Sequence, residues 1–548
     1  MPRLQRHPLA LFSLKPFNDR AHNVVAHPCN SHLVSTLPDG VLALDVGFNI
    51  RSKSRDTLAT LGRGDTDIFV EGSSIAKVQC SFEIDLDSRV VLFYDRSNGL
   101  TTQICGDNAT PFEHGRRRRV VVQQKLNTII GMGGVGCDLI QSELEWYPNP
   151  TQTIEKVKSQ ESMPWGQDEN PRLARTVDEA PTVLPSQRVT RIHTPGERKL
   201  RMRYEKVGPP LGSGQFGIVH KCIDVDSGKL MAVKILKRPP GKSQEDWKKE
   251  LHHTLKREVE TLSDISHPYI VDYIASQGWD GQEMEIFMGL KEGTLESMVE
   301  SGDGLPTPVA EFLFPQMLQA LDCLAYNGIV HRDVKPENIL YVSQPGGQYQ
   351  FQLGDFGLCN RVVDAATFAG SCIYMAPEMF RKGVQTSKLD VWSLFVTMLW
   401  TLVAGGFRQR SNQFKSVEDA QEAVLHAASN VDTVSKIQEM AAVNPKERAS
   451  AAQMLVKYYN GVGLSTPRNQ VPALISGPSP AITAARAPAL DFPTLTTRTT
   501  QTRPRGFQKN KNILAAAAQY RVDKARDPFS AQQAPRRLQG LRLKPDKS

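Results

Sequence analysis

The chain of 548 residues is 40% apolar and 23% charged with a net charge of +8. That length predicts two to four folded units, and that composition excludes a wholly disordered or fibrous chain. Its eight cysteines (Cys29, Cys80, Cys105, Cys137, Cys222, Cys323, Cys359 and Cys372) include no Cys-x-x-Cys pair, which argues against a disulfide framework or zinc module and for a reduced compartment.

Residues 1–34 read as an N-terminal extension. Arg3 and Arg6 precede a short apolar run, Pro8 to Leu14, but no small-residue cleavage site follows. A secretory signal is therefore rejected, with a mitochondrial presequence as the alternative. From 35 to 147, short alternating runs are separated by Gly, Asn and Asp clusters: Val41–Leu44, Ile68–Val70, Val78–Ile84, Val90–Tyr94, Arg119–Gln123 and Leu139–Trp146. That is the pattern of an all-β sandwich.

Residues 148–200 are polar and proline-punctuated and read as a flexible linker. Strands and then amphipathic helices fill 204–457. The most apolar run, Leu394 to Phe407, is too short for a bilayer span of about 20 residues, so no membrane is expected and the run reads as a core helix. Residues 463–548 form a basic tail of disordered composition. Leu464 to Ser548 holds 15 Lys+Arg against 4 Asp+Glu, which leaves the rest of the chain at −3. No internal repeat is found.

The stretch LGSGQFGIVHKCIDVDSGKLMAVKIL, 211–236, reads as strand, glycine turn, strand, turn, strand. A G-x-G-x-x-G also occurs before helices in dinucleotide folds. Here Ile218 and Val219 favour a strand after it, and Lys234 follows on the next strand, which fits a flap over ATP phosphates.

Downstream come HRDVKPENIL (331–340), GDFGL (354–358) and MAPEM (375–379). Their order and spacing resemble the protein kinases, which implies a bilobal α+β fold and phosphoryl transfer from Mg-ATP. In that family catalysis is positioning plus charge stabilisation. The resemblance implies that Leu211, Gly212, Ser213, Gly214, Gln215, Phe216 and Gly217 cover the nucleotide. Val219 and Ala232 would flank the adenine, Met288 would guard the pocket, and Gly289-Leu290 would form the hinge.

Lys234 would contact the α/β-phosphates while paired with Glu258, with Glu250 and Glu260 as alternatives. Their helix is expected to begin at Ser243, in a capping-box-like Ser-Gln-Glu-Asp. Asp333 would orient the substrate hydroxyl, Asn338 and Asp355 would hold Mg2+, and Lys335 resembles the lysine of serine/threonine kinases. The run Leu389–Phe395 resembles the helix that anchors the catalytic loop, and Arg448 the partner of Glu378. Arg332 implies activation by a phosphate on the 356–375 segment, with Thr367 the candidate and Ser371 assigned to the substrate-hydroxyl pocket; the alternative is that Arg332 only braces the fold. Glu292, Glu296 and Glu337 either favour basic peptides or are solvated surface charges.

Upstream, Gly62-Arg63 after a strand, a polar loop before Cys80-Ser81-Phe82, and Ser97-Asn98-Gly99 resemble the forkhead-associated (FHA) domain. That resemblance implies a β-sandwich whose loops hold phosphothreonine peptides. Arg63 would meet the phosphate and Asn98 the peptide backbone. Ala76 departs from the family's phosphate-binding serine and Gln79 from its structural histidine; Ser73, Ser74 or Lys77 are the candidate substitutes.

A sandwich of this kind joined to a kinase resembles the checkpoint effector kinases of the calmodulin-kinase-like group. Thr151-Gln152, Ser159-Gln160 and Ser186-Gln187 are the serine-glutamine or threonine-glutamine pairs such enzymes carry. Arg116–Arg119 reads either as an import or nucleic-acid patch or as a solvated hairpin; the tail is the better candidate for weak contacts with nucleic acid.

The expectation is an enzyme using ATP and Mg2+, acting on protein substrates in the nucleus and/or cytoplasm. It would be recruited or activated by phosphothreonine-containing partners, with transient self-association. The alternatives are a phosphothreonine-dependent scaffold with an inactive kinase fold, and a kinase whose sandwich recruits partners without phosphate.

Overall fold

The computed structural model describes residues 5–52, 54, 56–86, 88–134, 138–159, 200–214, 217–238, 241, 243–250, 259, 263, 265–300, 307–355, 370–380 and 385–474.

The front of the chain is a β-sandwich. One sheet has the order β2(Val34–Thr36), β3(Leu42–Gly47), β1(Ala10–Pro16), β11(Ile140–Trp146), β10(Ile129–Met132) and β8(Thr102–Cys105). The other has the order β5(Ile68–Phe69), β4(Thr57–Gly62), β6(Cys80–Asp85), β7(Val90–Asp95) and β9(Arg119–Val122). Aromatic rings interlock between the layers. Phe12 of β1 packs edge-on across the layers against Phe82 of β6 at 5.0 Å, and Phe82 packs at 4.9 Å on Phe93, its pair on β7 of the same sheet.

The sandwich begins earlier than residue 35. β1 lies between β3 and β11, with Phe12 facing both Val46 and Trp146. A strand covered on both faces needs no alternation, which is why Ala10–Pro16 reads as a bare apolar run. Helix α1(Asp19–Ala26), capped by Asn18, follows directly. The linker also starts later than 148. Helix α2(Pro150–Ser159) buries Ile154 and Val157 against the sandwich, and its opening proline occupies a position where the missing N–H costs nothing.

The second unit has two lobes. The upper carries an antiparallel sheet ordered β12(Tyr204–Gly214), β13(Gly217–Asp224), β14(Leu230–Lys237), β16(Glu283–Gly289) and β15(Tyr273–Gln277). Helix α3(Gln244–Glu250) starts where Ser243 predicts, the Asp246 N–H donating to the Ser243 hydroxyl at 3.1 Å.

The lower lobe is built on helices α4(Leu295–Glu300), α5(Thr307–Tyr326) and α6(Lys388–Thr401), with the hairpin β17(Ile339–Gln344)–β18(Gln348–Leu353) packed on α5. Helix α6 is buried along nearly its whole length, in agreement with the core-helix reading of Leu394–Phe407. Phe395, where the kinase resemblance has glycine, is completely enclosed in that core. Among the described residues no single helix is long and apolar enough to cross a membrane; Lys388–Thr401 and Ala404–Ser411 qualify only together, across a 101° bend.

The tail expected from residue 463 is folded at its start. The N–H groups of Ser465 and Thr466 donate to the buried Asp322 carboxylate at 2.7 and 3.0 Å, and the Thr466 hydroxyl donates to it at 2.6 Å. Residues 475–548 lie outside the described residues.

Candidate functional site

Strand register gathers one group of predicted residues. Val219 pairs with Lys234 and Ala232 pairs with Met288. Since directly opposed residues share a face and every second residue repeats it, Val219, Lys234, Ala232 and Met288 line one surface. Val233 and Phe287, fully buried, pack on the other. Gly217 sits at φ 137, and a Cβ there would come within 2.4 Å of the Ile235 carbonyl; only glycine fits. Around Gly212 nothing lies within 4 Å of a Cβ position, so its backbone is open to approach. Leu211 is exposed, Ser213 and Gly214 end β12, and Gln215 and Phe216 lie outside the described residues.

The Lys234 ammonium is buried and bonded to the Asp355 carboxylate. Glu258 and Glu260 lie outside the described residues, and Glu250 is described only as part of α3.

Below the sheet, Asn338 donates its amide to both the Asp333 carbonyl and Asp333 Oδ2, each at 2.7 Å. Lys335 Nζ reaches the same Oδ2 at 3.1 Å. The segment is sewn to its neighbours: His331 Nε2 meets the Gly354 carbonyl at 2.8 Å, and the Gly354 N–H donates to the Asn338 carbonyl at 2.8 Å. Asp355 follows with φ 60 and Arg332 has φ 68, both left-handed. Asp390 holds Arg332 there by accepting the N–H groups of His331 and Arg332 at 2.8 and 2.7 Å. His331 has no role in the sequence reading; its place directly before Arg332 is the signal that could have found it.

The Arg332 guanidinium carries a buried Nε with no hydrogen-bond partner among the described residues. Thr367 lies outside them, and Ser371 is described only as part of the turn Gly370–Tyr374.

Residues 205–459 match the protein kinase domain family. This segment is a protein kinase domain. The chain is 34% identical over 206 residues to mitogen-activated protein kinase kinase kinase 3 of Arabidopsis thaliana, covering 36% of this chain and 31% of the relative. It is 29% identical over 328 residues to NUAK family SNF1-like kinase 2 of Rattus norvegicus, covering 59% and 50%. The chain thus spans half or less of the length of these relatives. Among solved structures it is similar to Rad53 1-466 in complex with AMP-PNP, with a TM-score of 0.45 and 19% identity over 75% of this chain and 93% of that one.

Within the kinase domain, Arg448 is fully buried and grips Glu378 with two bonds, at 2.6 and 3.0 Å. Of the three glutamates read as a peptide approach, Glu292 is taken up by the Ser343 N–H and hydroxyl. Glu296 and Glu337 do come together. Burial and the charges of Glu337 and Glu300 push the Glu296 carboxyl up to about 7. Burial raises the Glu337 carboxyl as well, against the pull of Lys335.

In the sandwich, the Arg63 and Gly64 N–H groups donate to the Ala76 and Lys77 carbonyls at 3.1 and 2.9 Å, so the two loops touch. Gln79 is completely buried between loops. Its Oε1 accepts the Ala76 N–H at 2.8 Å and its Nε2 donates to the hydroxyls of Thr101 and Thr102 at 2.9 Å each. Gln79 thus ties together the loops that carry Arg63, Lys77 and Asn98. Those three side chains are exposed.

Ser74 differs from expectation. Its hydroxyl donates to Asp138 and accepts the Gly134 N–H, and its own N–H donates to Asp138 at 2.7 Å. Burial alone would raise the Asp138 carboxyl, but these bonds outweigh it and bring the group down to about 2. The Ser73 hydroxyl also points to Asp138, at 3.4 Å, whereas the Lys77 side chain is exposed.

The four-arginine run is dismantled by its partners. Arg116 meets Glu113 and Asp226, and Arg118 meets Asp95 and the Leu100 and Thr102 carbonyls. Arg119 meets the Asp226 carbonyl and Tyr94. Only Arg117 of the four is exposed, the other three being partly buried, so the run is not the solvated hairpin of the sequence reading.

Proposed function

We propose that this chain is a serine/threonine protein kinase that transfers the γ-phosphoryl group of Mg-ATP to protein hydroxyls, recruited or activated through a phosphothreonine-binding FHA-like sandwich. The observation that carries the enzymatic reading is the single bonded cluster of Asp333, Lys335 and Asn338, tied through Gly354 to the Asp355–Lys234 pair. Asp333 accepts the substrate hydroxyl's proton, with Oδ2 fixed by Asn338 and Lys335. Lys234 exchanges Asp355 for the α/β-phosphates once nucleotide enters, and the glycine flap lowers backbone N–H groups onto them.

The residues fit a magnesium ion. Asn338 spends its amide nitrogen on Asp333 and keeps its carbonyl oxygen, and Asp355 adds a half-exposed carboxylate, the hard oxygen donors this cation takes. Bound there, Mg2+ neutralises charge on the transferring phosphates. The Arg332 Nε, without a partner among the described residues, supports regulation by a phosphate at Thr367, whose oxygens would supply an acceptor.

Substrates are basic peptides. Burial and neighbouring carboxylates disfavour the ionised forms of Glu296 and Glu337, a cost that a peptide guanidinium would offset. Arg63, Lys77 and Asn98, exposed on loops tied by Gln79, support phosphothreonine binding. Checkpoint signalling in the nucleus and/or cytoplasm belongs to the same reading, supported by the exposed Thr151 in the first turn of α2, where a phosphate is favoured by the helix dipole.

The 548-residue chain, Asp333→Asn and Asp355→Ala are incubated with labelled ATP, Mg2+ and a basic serine/threonine peptide. Transfer by the parent and its loss in both variants is the expected result; an inert parent overturns the enzymatic reading and leaves the scaffold. Calorimetric titration with phosphothreonine and unphosphorylated peptides tests the sandwich, and heat that is independent of the phosphate or unchanged in Arg63→Ala overturns that part.

A further inference from the structure

The hairpin of β12 and β13 carries the glycine flap at one end, between Gly214 and Gly217. Its other end, roughly 25 Å away at a strand's rise per residue, is held by the sandwich. Asp226, in the turn after β13, receives Arg116 of the sandwich at 2.7 Å and is also bonded by Arg203, which enters β12. The Arg119 guanidinium donates to the Asp226 carbonyl at 2.8 Å.

Backbone bonds complete the joint. The Val121 N–H of edge strand β9 donates to the Val225 carbonyl at 2.8 Å, and the Val225 N–H to the Arg203 carbonyl at 2.9 Å. Val225 and Ile223 are buried in the same apolar cluster as β7 of the sandwich. Gly228, at φ 73, passes so near that a Cβ would stand 3.3 Å from Leu92. The Arg116 side chain is only 5% exposed and that of Asp226 15%, so this ion pair is poorly screened and its loss matters more than that of a surface pair.

Both strands of the flap hairpin are therefore anchored at their base by the front domain. We propose that Asp226, clamped by Arg116 and Arg203, is a positioning residue for nucleotide binding: the sandwich holds the flap hairpin in its ATP-competent pose, and ATP affinity depends on that grip. A binding site that is competent only part of the time has its affinity reduced by that fraction. This inference rests on the kinase reading but is separable from it, because nucleotide binding is measured without transfer.

The test uses the full chain with Asp226→Arg. A non-hydrolysable ATP analogue with Mg2+ is titrated, and hydrogen exchange is followed over 204–224. The expected result is an affinity about 3- to 10-fold weaker, faster exchange in that hairpin, a matching rise in the KM for ATP, and an unchanged KM for peptide. The exchange Arg116→Asp, Arg203→Asp, Asp226→Arg, made together with Glu113→Arg because Glu113 pairs with both arginines, reverses the ion pairs of the joint and restores affinity.

If Asp226→Arg does not fold, Asp226→Asn is carried through the same measurements. Unchanged nucleotide affinity and exchange in a folded variant overturn the proposal, as does equal weakening of nucleotide and peptide without faster exchange. If the parent protein transfers no phosphate yet loses nucleotide affinity on Asp226→Arg, the clamp stands and the activity reading falls.

Discussion

Asp390 holds Arg332 in a left-handed backbone conformation, with one carboxylate oxygen on the Arg332 N–H and the other on that of His331. A non-glycine residue in that region costs about 1 kcal/mol or more, and here it lies directly before Asp333. Asp390→Ala removes both acceptors from buried donors, a loss of about 1–3 kcal/mol per unsatisfied group. The expected result is a fall in kcat of about 10-fold or more with a lowered melting temperature. Steady-state kinetics and calorimetry check it; a variant with parental kcat shows that the backbone pose does not matter.

Gln79 separates stability from recognition in the sandwich. Gln79→Ala orphans the Ala76 N–H and frees the 101–102 loop, costing about 1–3 kcal/mol and weakening phosphothreonine binding. Arg63→Ala, at an exposed side chain, removes binding with little effect on melting. Thermal unfolding and peptide titration on both variants check the contrast.

Glu296 gives a pH signature. Its carboxyl, raised to about 7, ionises as pH climbs from 6 to 8, so the KM for an arginine-bearing peptide falls over that range while that for a neutral peptide stays flat. Glu296→Gln abolishes the slope. The folded state also holds this proton more tightly than the unfolded chain, so Glu296 lowers stability progressively as pH rises from about 4.5 to about 7.

Asp322 fastens the segment after the kinase domain. Asp322→Ala strips the acceptor from Ser465 and Thr466, and a protease is expected to cut 463–474 faster while the KM for ATP is unchanged. Equal cleavage rates in parent and variant show that other contacts, such as Gln453 to the Pro472 and Ala473 carbonyls, suffice.

Local chemistry was legible where residues act close to one another in sequence. Asp333, Lys335 and Asn338 lie within six positions and meet in the structure, and the paired strands of Val219 and Ala232 follow from alternation. What was not legible depends on distant partners. Ser74 looked available until Asp138 closed on it, and the arginine run looked solvent-facing until Asp226 arrived from the other domain. β1 was missed because a central strand has no polar face to alternate with, and α2 because its two apolar contacts sit in proline-flanked polar sequence.

The placement of β1 has a consequence for synthesis. Phe12 pairs with Trp146, so β1 waits for a partner strand made roughly 130 residues later, about 7 to 26 seconds at ordinary elongation rates. Until then β1 has β3 alone to pair with, through Phe12 and Val46, and its other edge stays open while β4 to β10 are translated, a template for wrong pairing that closes only when β11 is made.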